Sequence, residues 1–178
     1  LGDMLKQNMA AGAMAAGAAV FTYGVKAVAA FQDTALAAGK MADATGLTVE
    51  QSSRLMEVAG DLGIEVGTVQ GAIQKFNNAI AGGRLDEFAD SIVTAKDGSI
   101  DAYESFINVA TAIGKIKDPT QKQIVAQKAF GRSWGEISEM MKMDADELRG
   151  ALDSVSDAKV IDENELRQAA SSAICSTS

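Results

Sequence analysis

The stretch DPTQKQIVAQKAFGRSWGEISEMM, residues 118–141, decides the fold because it contains clear signals for where helices begin and end. Asp118 followed by Pro119 predicts a helix start, since aspartate caps a helix and proline suits its first turn. Phe130-Gly131 predicts a helix end, because glycine adopts the backbone conformation that terminates helices. The stretch is therefore typical of a protein built from short, separately capped helices.

Residues 131–135, GRSWG, also match the Gly-x-Ser-x-Gly pattern around the nucleophilic serine of many hydrolases. That serine needs a histidine to accept its proton, and the chain contains no histidine. Ser133 instead stands three residues before Glu136, which is the spacing of a capping box, where each side chain accepts from the other residue's backbone N–H. We therefore interpret Ser133 as the start of a helix and predict no catalytic residue and no enzyme activity.

Further helix starts follow the same pattern along the chain. The capping pairs are Thr48 with Gln51, Asp144 with Glu147, and Asp162 with Glu165. Apolar residues also recur every three or four positions in three helical stretches, which contain Leu55, Val58, Ala59 and Leu62; Val69, Ile73, Phe76 and Ile80; and Phe106, Val109, Ala110 and Ile113. An Asp-Gly pair at 97–98 predicts one tiny β-hairpin near residues 92–100. The predicted fold is all-α, with a long amino-terminal helix followed by a series of short capped helices that form helical hairpins.

Residues 1–44 are rich in alanine and glycine and predict one long helix, from about Leu5 to Met41. Such a helix needs a partner, because one small globule cannot cover it. The predicted packing positions combine an apolar face with small residues four apart: Gly12, Met14, Ala16, Gly17, Phe21, Val25 and Val28. We expect a coiled coil that makes the chain a homo-oligomer, such as a trimer. The alternative is a membrane-active helix, holin-like or pore-forming, because residues 9–25 carry no charge and approach the length that spans a bilayer.

The charge and composition exclude several classes of function. A net charge of −8 opposes binding to nucleic acid, whose phosphates an acidic surface repels. One short basic island is interpreted as a solvated helix face rather than a phosphate site: Lys115, Lys117, Lys122, Lys128 and Arg132. Because the chain has no histidine and a single cysteine, Cys175, it lacks the usual ligands of zinc and haem. No metal and no cofactor is predicted.

Three regions are expected along the chain. Residues 1–44 form the long packing helix, and residues 45–155 form a domain of short helices. Residues 156–178 are expected to be weakly structured, with a helix that begins at Asp162 and a frayed end from Ser171, where the apolar period stops.

The order of these units resembles that of bacteriophage tail tape measure proteins. The segments that carry the resemblance are Ala44 to Glu50, Leu62 to Ile64, Val69 to Ile80, Ile113 to Pro119 and Ala129 to Ser133, and together they cover roughly residues 30 to 150. The family-motif residues are Thr45, Gly46, Leu47, Asp118, Pro119, Phe130, Gly131, Arg132 and Ser133. Trp134 departs from the family pattern, which usually has glycine there.

The resemblance implies a structural role in a phage or prophage tail. Such a protein fills the tail tube and determines tail length during assembly, with the tail tube protein and tail assembly chaperones as partners. It resides in the host cytoplasm before assembly and in the tail tube interior of the virion afterwards, and some members contact the host inner membrane at infection. Since 178 helical residues span only about 270 Å at 1.5 Å each, we expect a fragment, a truncated form or one domain of a longer ruler.

Overall fold

A computed structural model describes residues 30–156 and 159–175, with side chains described through residue 171. The seven predicted packing positions in the amino-terminal segment, and the uncharged run at residues 9–25, lie outside the described residues. Only the carboxy-terminal end of the predicted long helix falls within them.

The described residues form an all-α fold with one two-stranded β-hairpin, so the predicted fold class is confirmed. The α-helices are α1 (30–45), α2 (Val49–Asp61), α3 (Val66–Ala81), α4 (Ala102–Gly114), α5 (Pro119–Phe130), α6 (Ser138–Lys142), α7 (Ala145–Asp153) and α8 (Glu163–Cys175). The hairpin strands are β1 (Val93–Thr94) and β2 (Ile100–Asp101), and two 3-10 turns cover Asp86–Ser91 and Gly131–Gly135.

Side-chain caps begin four of these helices where the sequence predicts them. Reciprocal capping boxes form at Thr48 with Gln51, at Asp144 with Glu147 and at Asp162 with Glu165. Asp118 accepts a hydrogen bond of 2.7 Å from the backbone N–H of Gln121, and Pro119 occupies the first turn of α5. Each cap satisfies backbone donors that a helix start otherwise leaves free, so the chain itself fixes where its helices begin.

Glycines with positive φ end four of the helices and close the hairpin. Gly46, with φ of 74°, follows α1, and Gly131, with φ of 66°, follows α5. Gly63 and Gly83 play the same part after α2 and α3. Gly98, with φ of 86°, lies in the turn between β1 and β2, where Val93 pairs with Asp101 and Thr94 pairs with Ile100. The predicted helix end at Phe130-Gly131 and the predicted hairpin are therefore confirmed.

Helices α2 to α7 pack around one main core, at whose centre three phenylalanine rings meet. The centroids of Phe76 in α3 and Phe106 in α4 are 5.8 Å apart, and Phe130 at the end of α5 lies 5.8 Å from the first and 5.5 Å from the second. All three side chains are at most 1% exposed. Because each ring comes from a different helix, this cluster fixes the relative positions of α3, α4 and α5.

A second, smaller core joins the two ends of the described chain. Its buried residues come from α1, the start of α2 and the region of α8: Ala35, Ala38, Ala42, Val49, Ile161 and Ala169. Leu166 of α8 packs directly against Gly39 of α1, where a Cβ would lie 2.8 Å from its methyl groups. The frayed end expected from Ser171 is wrong for residues 171–175, because α8 continues to Cys175. The contacts with α1 anchor this helix, and an anchored helix extends by adding one backbone hydrogen bond per residue.

The predicted capping box at Ser133 is also wrong. The chain continues from Gly131 into a 3-10 turn, and α6 begins only at Ser138, without a side-chain cap. The carboxylate of Glu136 instead accepts a hydrogen bond of 2.7 Å from the hydroxyl of Thr68 in α3. The positive φ of Gly131 redirects the backbone, so this long-range contact replaces the local one that the spacing predicts.

Candidate functional site

The segment after Phe130 forms one wall of an open cavity on the surface of the main core. The Phe130 ring is fully buried in the phenylalanine cluster, which anchors the end of α5. Gly131 then turns the chain so closely over α3 that a Cβ on it would lie 3.4 Å from Cγ of Lys75. A Cβ on Gly71, one turn earlier in α3, would lie 4.0 Å from the Ser133 hydroxyl. The 131–133 turn therefore lies close to α3 at both positions.

The cavity has a volume of about 450 Å³, and cationic side chains contribute to its wall. Helix α3 and the loop after it contribute one side, while α5 and the 131–133 turn contribute the other. The residues that line it are Gly71, Gln74, Lys75, Arg84, Gln127, Lys128, Gly131, Arg132 and Ser133. Four cationic side chains therefore surround a space of small-ligand size, in a chain whose net charge is −8.

One of these cations is paired. Lys128 donates to both carboxylate oxygens of Glu87 at 3.3 Å, in an exposed ion pair that adds little to stability. Within the described part of the chain, Lys75, Arg84 and Arg132 form no ion pair with a carboxylate. The cavity therefore keeps about three uncompensated positive charges, together with donor groups from two glutamines and one serine.

The residues of the predicted basic island have different surroundings in the structure. Lys128 and Arg132 line the cavity, whereas Lys122 donates a hydrogen bond of 2.7 Å to the carbonyl oxygen of Gly114 at the end of α4. The Lys122 contact agrees with the interpretation of lysines near a helix end. Sequence reasoning missed Lys75 and Arg84 because they lie about 50 residues away from their cavity partners, and no local pattern connects the two segments.

The other family-motif residues lie at joints between helices. The buried Thr45 donates to the carbonyl oxygen of Met41 at 2.6 Å, and its own carbonyl oxygen accepts from the amide of Asn77 in α3 at 2.7 Å. Gly46 forms the turn after α1, and Leu47 is buried in the main core. Asp118 and Pro119 begin α5 and lie outside the cavity. Of the motif residues, Gly131, Arg132 and Ser133 alone line the cavity.

Two other kinds of site are absent from the described residues. Across residues 30–156 and 159–175, no group of three or more acidic or cysteine side chains is arranged to hold a metal ion. Among the helices described, none combines the length and apolar character needed to cross a membrane.

Comparison with protein-family models, with curated proteins and with solved structures finds no match to the chain.

Proposed function

We propose that the chain is part of a structural protein of a phage or prophage tail, of the tape measure class, and that it works by helix association rather than catalysis. The proposal rests on the order of the sequence segments that resemble that family. The observation that supports it best is that four of these five segments coincide with joints between helices of one folded unit, while the fifth, Val69 to Ile80, lies within α3.

The first joint connects α1 to the main core. Thr45 and its neighbour Ala44 present carbonyl oxygens to Asn77 and Gln74 of α3, at 2.7 and 3.3 Å. The second joint is Phe130-Gly131, where a buried ring is followed at once by a turn. Residues that are weak signals individually thus have defined and separate structural roles in the fold.

The packing of α2 to α7 refines the proposed role. A helical ruler gains about 1.5 Å per residue only where its helix is extended, whereas these helices fold back on one core. We therefore assign the folded unit to contacts with the tail tube protein or assembly chaperones. In this proposal residues 1–44 provide self-association, and length is determined by extended helix rather than by the folded unit.

Deletion in the host that carries the gene tests the tail role. We expect an in-frame deletion of residues 45–175 to abolish tails of normal form in negative-stain electron microscopy, and the wild-type chain supplied in trans to restore them. A chain with Ile124→Ala, which changes an exposed side chain of α5, serves as the control and should restore them equally. Peptides from this chain should be present in purified tails and lost after DNA ejection. Normal tails from the deletion strain would exclude the proposal.

Light scattering tests the association step separately. We expect the purified chain to be oligomeric. The double variant Met14→Asp/Phe21→Asp should be monomeric, because charge on an apolar helix face prevents close packing. The urea midpoint of the folded unit should be unchanged in this variant. A wild-type chain that remains monomeric at high concentration would contradict this step. Flotation of the wild-type chain with liposomes, abolished by Ala16→Asp, would instead favour the membrane-active alternative.

A further inference from the structure

We propose that the cavity between α3, α5 and the 131–133 turn binds a compact, soluble, multiply charged phosphate compound. The inference does not depend on the proposed tail role, since it rests on the wall of the cavity alone. Lys75, Arg84, Lys128 and Arg132 supply the positive charge, and Gln74, Gln127 and Ser133 supply neutral donors.

The charge distribution favours an anionic ligand. The chain as a whole is acidic, yet four of its sixteen lysines and arginines line this one cavity, and only Lys128 has a carboxylate partner there. Guanidinium groups bind phosphate oxygens in pairs, and ammonium groups act as compact point charges on the same oxygens. A ligand with several phosphate charges would therefore compensate cations that the described part of the protein leaves unpaired.

Size and chemistry favour a small ligand over a polymer. The volume of about 450 Å³ falls within the range of small-molecule sites. The wall contains no aromatic side chain on which a nucleic acid base could stack. Exposed charges act over about 8 Å at physiological ionic strength, so the acidic surface around the cavity would repel the outer parts of a long polyanion. A compact anion would contact the cavity alone.

The approach of the turn to α3 gives the cavity a defined shape. Gly131 lies against the aliphatic part of Lys75, and Gly71 faces the Ser133 hydroxyl, so the two walls are held at short range. The turn is fixed at its start by the buried Phe130 and after its end by the buried Ile137. Arg132 and Ser133 are thereby carried on a segment whose two flanks are anchored in the core.

Calorimetric titration of the full chain with sodium tripolyphosphate tests the inference. We expect saturable binding at 0.15 M salt, weakened about 3-fold by Arg132→Gln and at least 10-fold by Lys75→Gln/Arg132→Gln, because two of the unpaired cations are removed. The matched control, Lys96→Gln/Lys117→Gln, removes the same charge from exposed positions that do not line the cavity and should bind like wild type. Urea unfolding of each variant verifies that the fold is retained.

Several outcomes would overturn the inference. These are no saturable binding, equal binding by wild type and the Lys75/Arg132 double variant, or an equal loss in the Lys96/Lys117 control. A 20-nucleotide single-stranded DNA that binds more tightly than tripolyphosphate would replace the compact ligand with a polymer. If the chain binds phosphatidylglycerol vesicles and tripolyphosphate does not displace them, the ligand would be a lipid surface rather than a compact phosphate compound.

Discussion

Gly114 lies directly against the backbone carbonyl of Met141, so that a Cβ on Gly114 would stand only 1.8 Å from that oxygen. The first residue ends α4, and the second belongs to the short helix α6, on the opposite side of the contact. The buried side chains of Ile113 and Met141 belong to the same main core. The absence of a side chain at position 114 is therefore what allows α4 and α6 to pack at this distance.

Gly114→Ala should destabilise the protein strongly. The added methyl group meets a backbone atom, which cannot rotate away as a side chain can, so α6 must shift as a whole. Overpacking of this kind costs about 1–3 kcal/mol, and here we expect at least about 3 kcal/mol, measured as the free energy of unfolding in urea.

Gly150→Ala provides the matched control for Gly114→Ala. Gly150 lies within α7, and a Cβ there would meet no atom within 4 Å. Alanine in an open helical position should raise the free energy of unfolding by about 0.5–1 kcal/mol. A loss of stability at both positions, or at neither, would show that the close approach of Gly114 to Met141 does not decide the effect.

The helix caps provide a second prediction, from two hydroxyl side chains in similar sequence patterns. Thr48 accepts from the backbone N–H of Gln51 at 3.1 Å, whereas Ser133 caps no helix. Thr48→Ala should therefore lower the free energy of unfolding by about 1 kcal/mol, and Ser133→Ala by less than about 0.5 kcal/mol. Urea denaturation followed by circular dichroism measures both. A larger loss at Ser133 would restore the capping interpretation.

These two positions show where sequence reasoning is sufficient for the fold. A capping box involves only residues three apart, so its pattern is complete in the sequence, and Thr48, Asp144 and Asp162 all cap helices as predicted. Ser133 has the same spacing to Glu136, but Thr68 of α3 binds the Glu136 carboxylate. A contact between residues 68 positions apart cannot be read from local spacing.

The cavity and the second core were not predictable for the same physical reason. Gly131 indicates a turn from the sequence alone. The side chains that face Arg132 across the cavity, however, come from α3 and the loop after it. Likewise, α8 packs against α1 through Leu166 and Gly39, and the sequence of α8 alone, with small residues after Ala169, indicates only a fading helix. Packing partners from distant segments decide both features.

Tyr103 gives a prediction about pH. Burial is the main cause that raises the pKa of its phenol to about 12, from an ordinary value of 10.0, and the charges of Asp153 and Glu104 add to it. Because the folded-state pKa is higher than the unfolded one, the stabilisation is complete below about pH 10 and is lost as the pH rises towards 12. After allowance for solvent screening, we expect a loss on the order of 1–2 kcal/mol over that range.

Tyr103→Phe isolates this effect. The difference in absorbance at 295 nm between wild type and the variant should titrate near pH 12 in the folded protein and near pH 10 in 8 M urea. The stability of the variant relative to wild type should increase between pH 9 and pH 12, since phenylalanine has no proton to lose. A difference titration with a midpoint near 10 in the folded protein would contradict the assignment of a partly buried phenol with a raised pKa.

Two adjacent serines of α2, Ser52 and Ser53, are both buried but differ in their hydrogen bonds. The hydroxyl of Ser53 donates to the carbonyl oxygen of Lys159 at 3.1 Å and accepts from the backbone N–H of Ile161 at 3.0 Å. The Ser52 hydroxyl has no hydrogen-bond partner in the described part of the protein. One serine thus joins α2 to the segment before α8, while the other buries a polar atom without compensation.

Alanine at these two positions should change stability in opposite directions. Ser53→Ala leaves the buried N–H of Ile161 without its acceptor, which should lower the free energy of unfolding by about 1–3 kcal/mol. Ser52→Ala removes an uncompensated hydroxyl and should leave the free energy of unfolding unchanged or raise it by up to about 1 kcal/mol. Urea denaturation of both variants makes the comparison, and amide hydrogen exchange at Ile161 should accelerate only in Ser53→Ala. A loss above about 1 kcal/mol in Ser52→Ala would mean that its hydroxyl is hydrogen-bonded in solution, and equal exchange in the two variants would remove Ser53 as the link to α8.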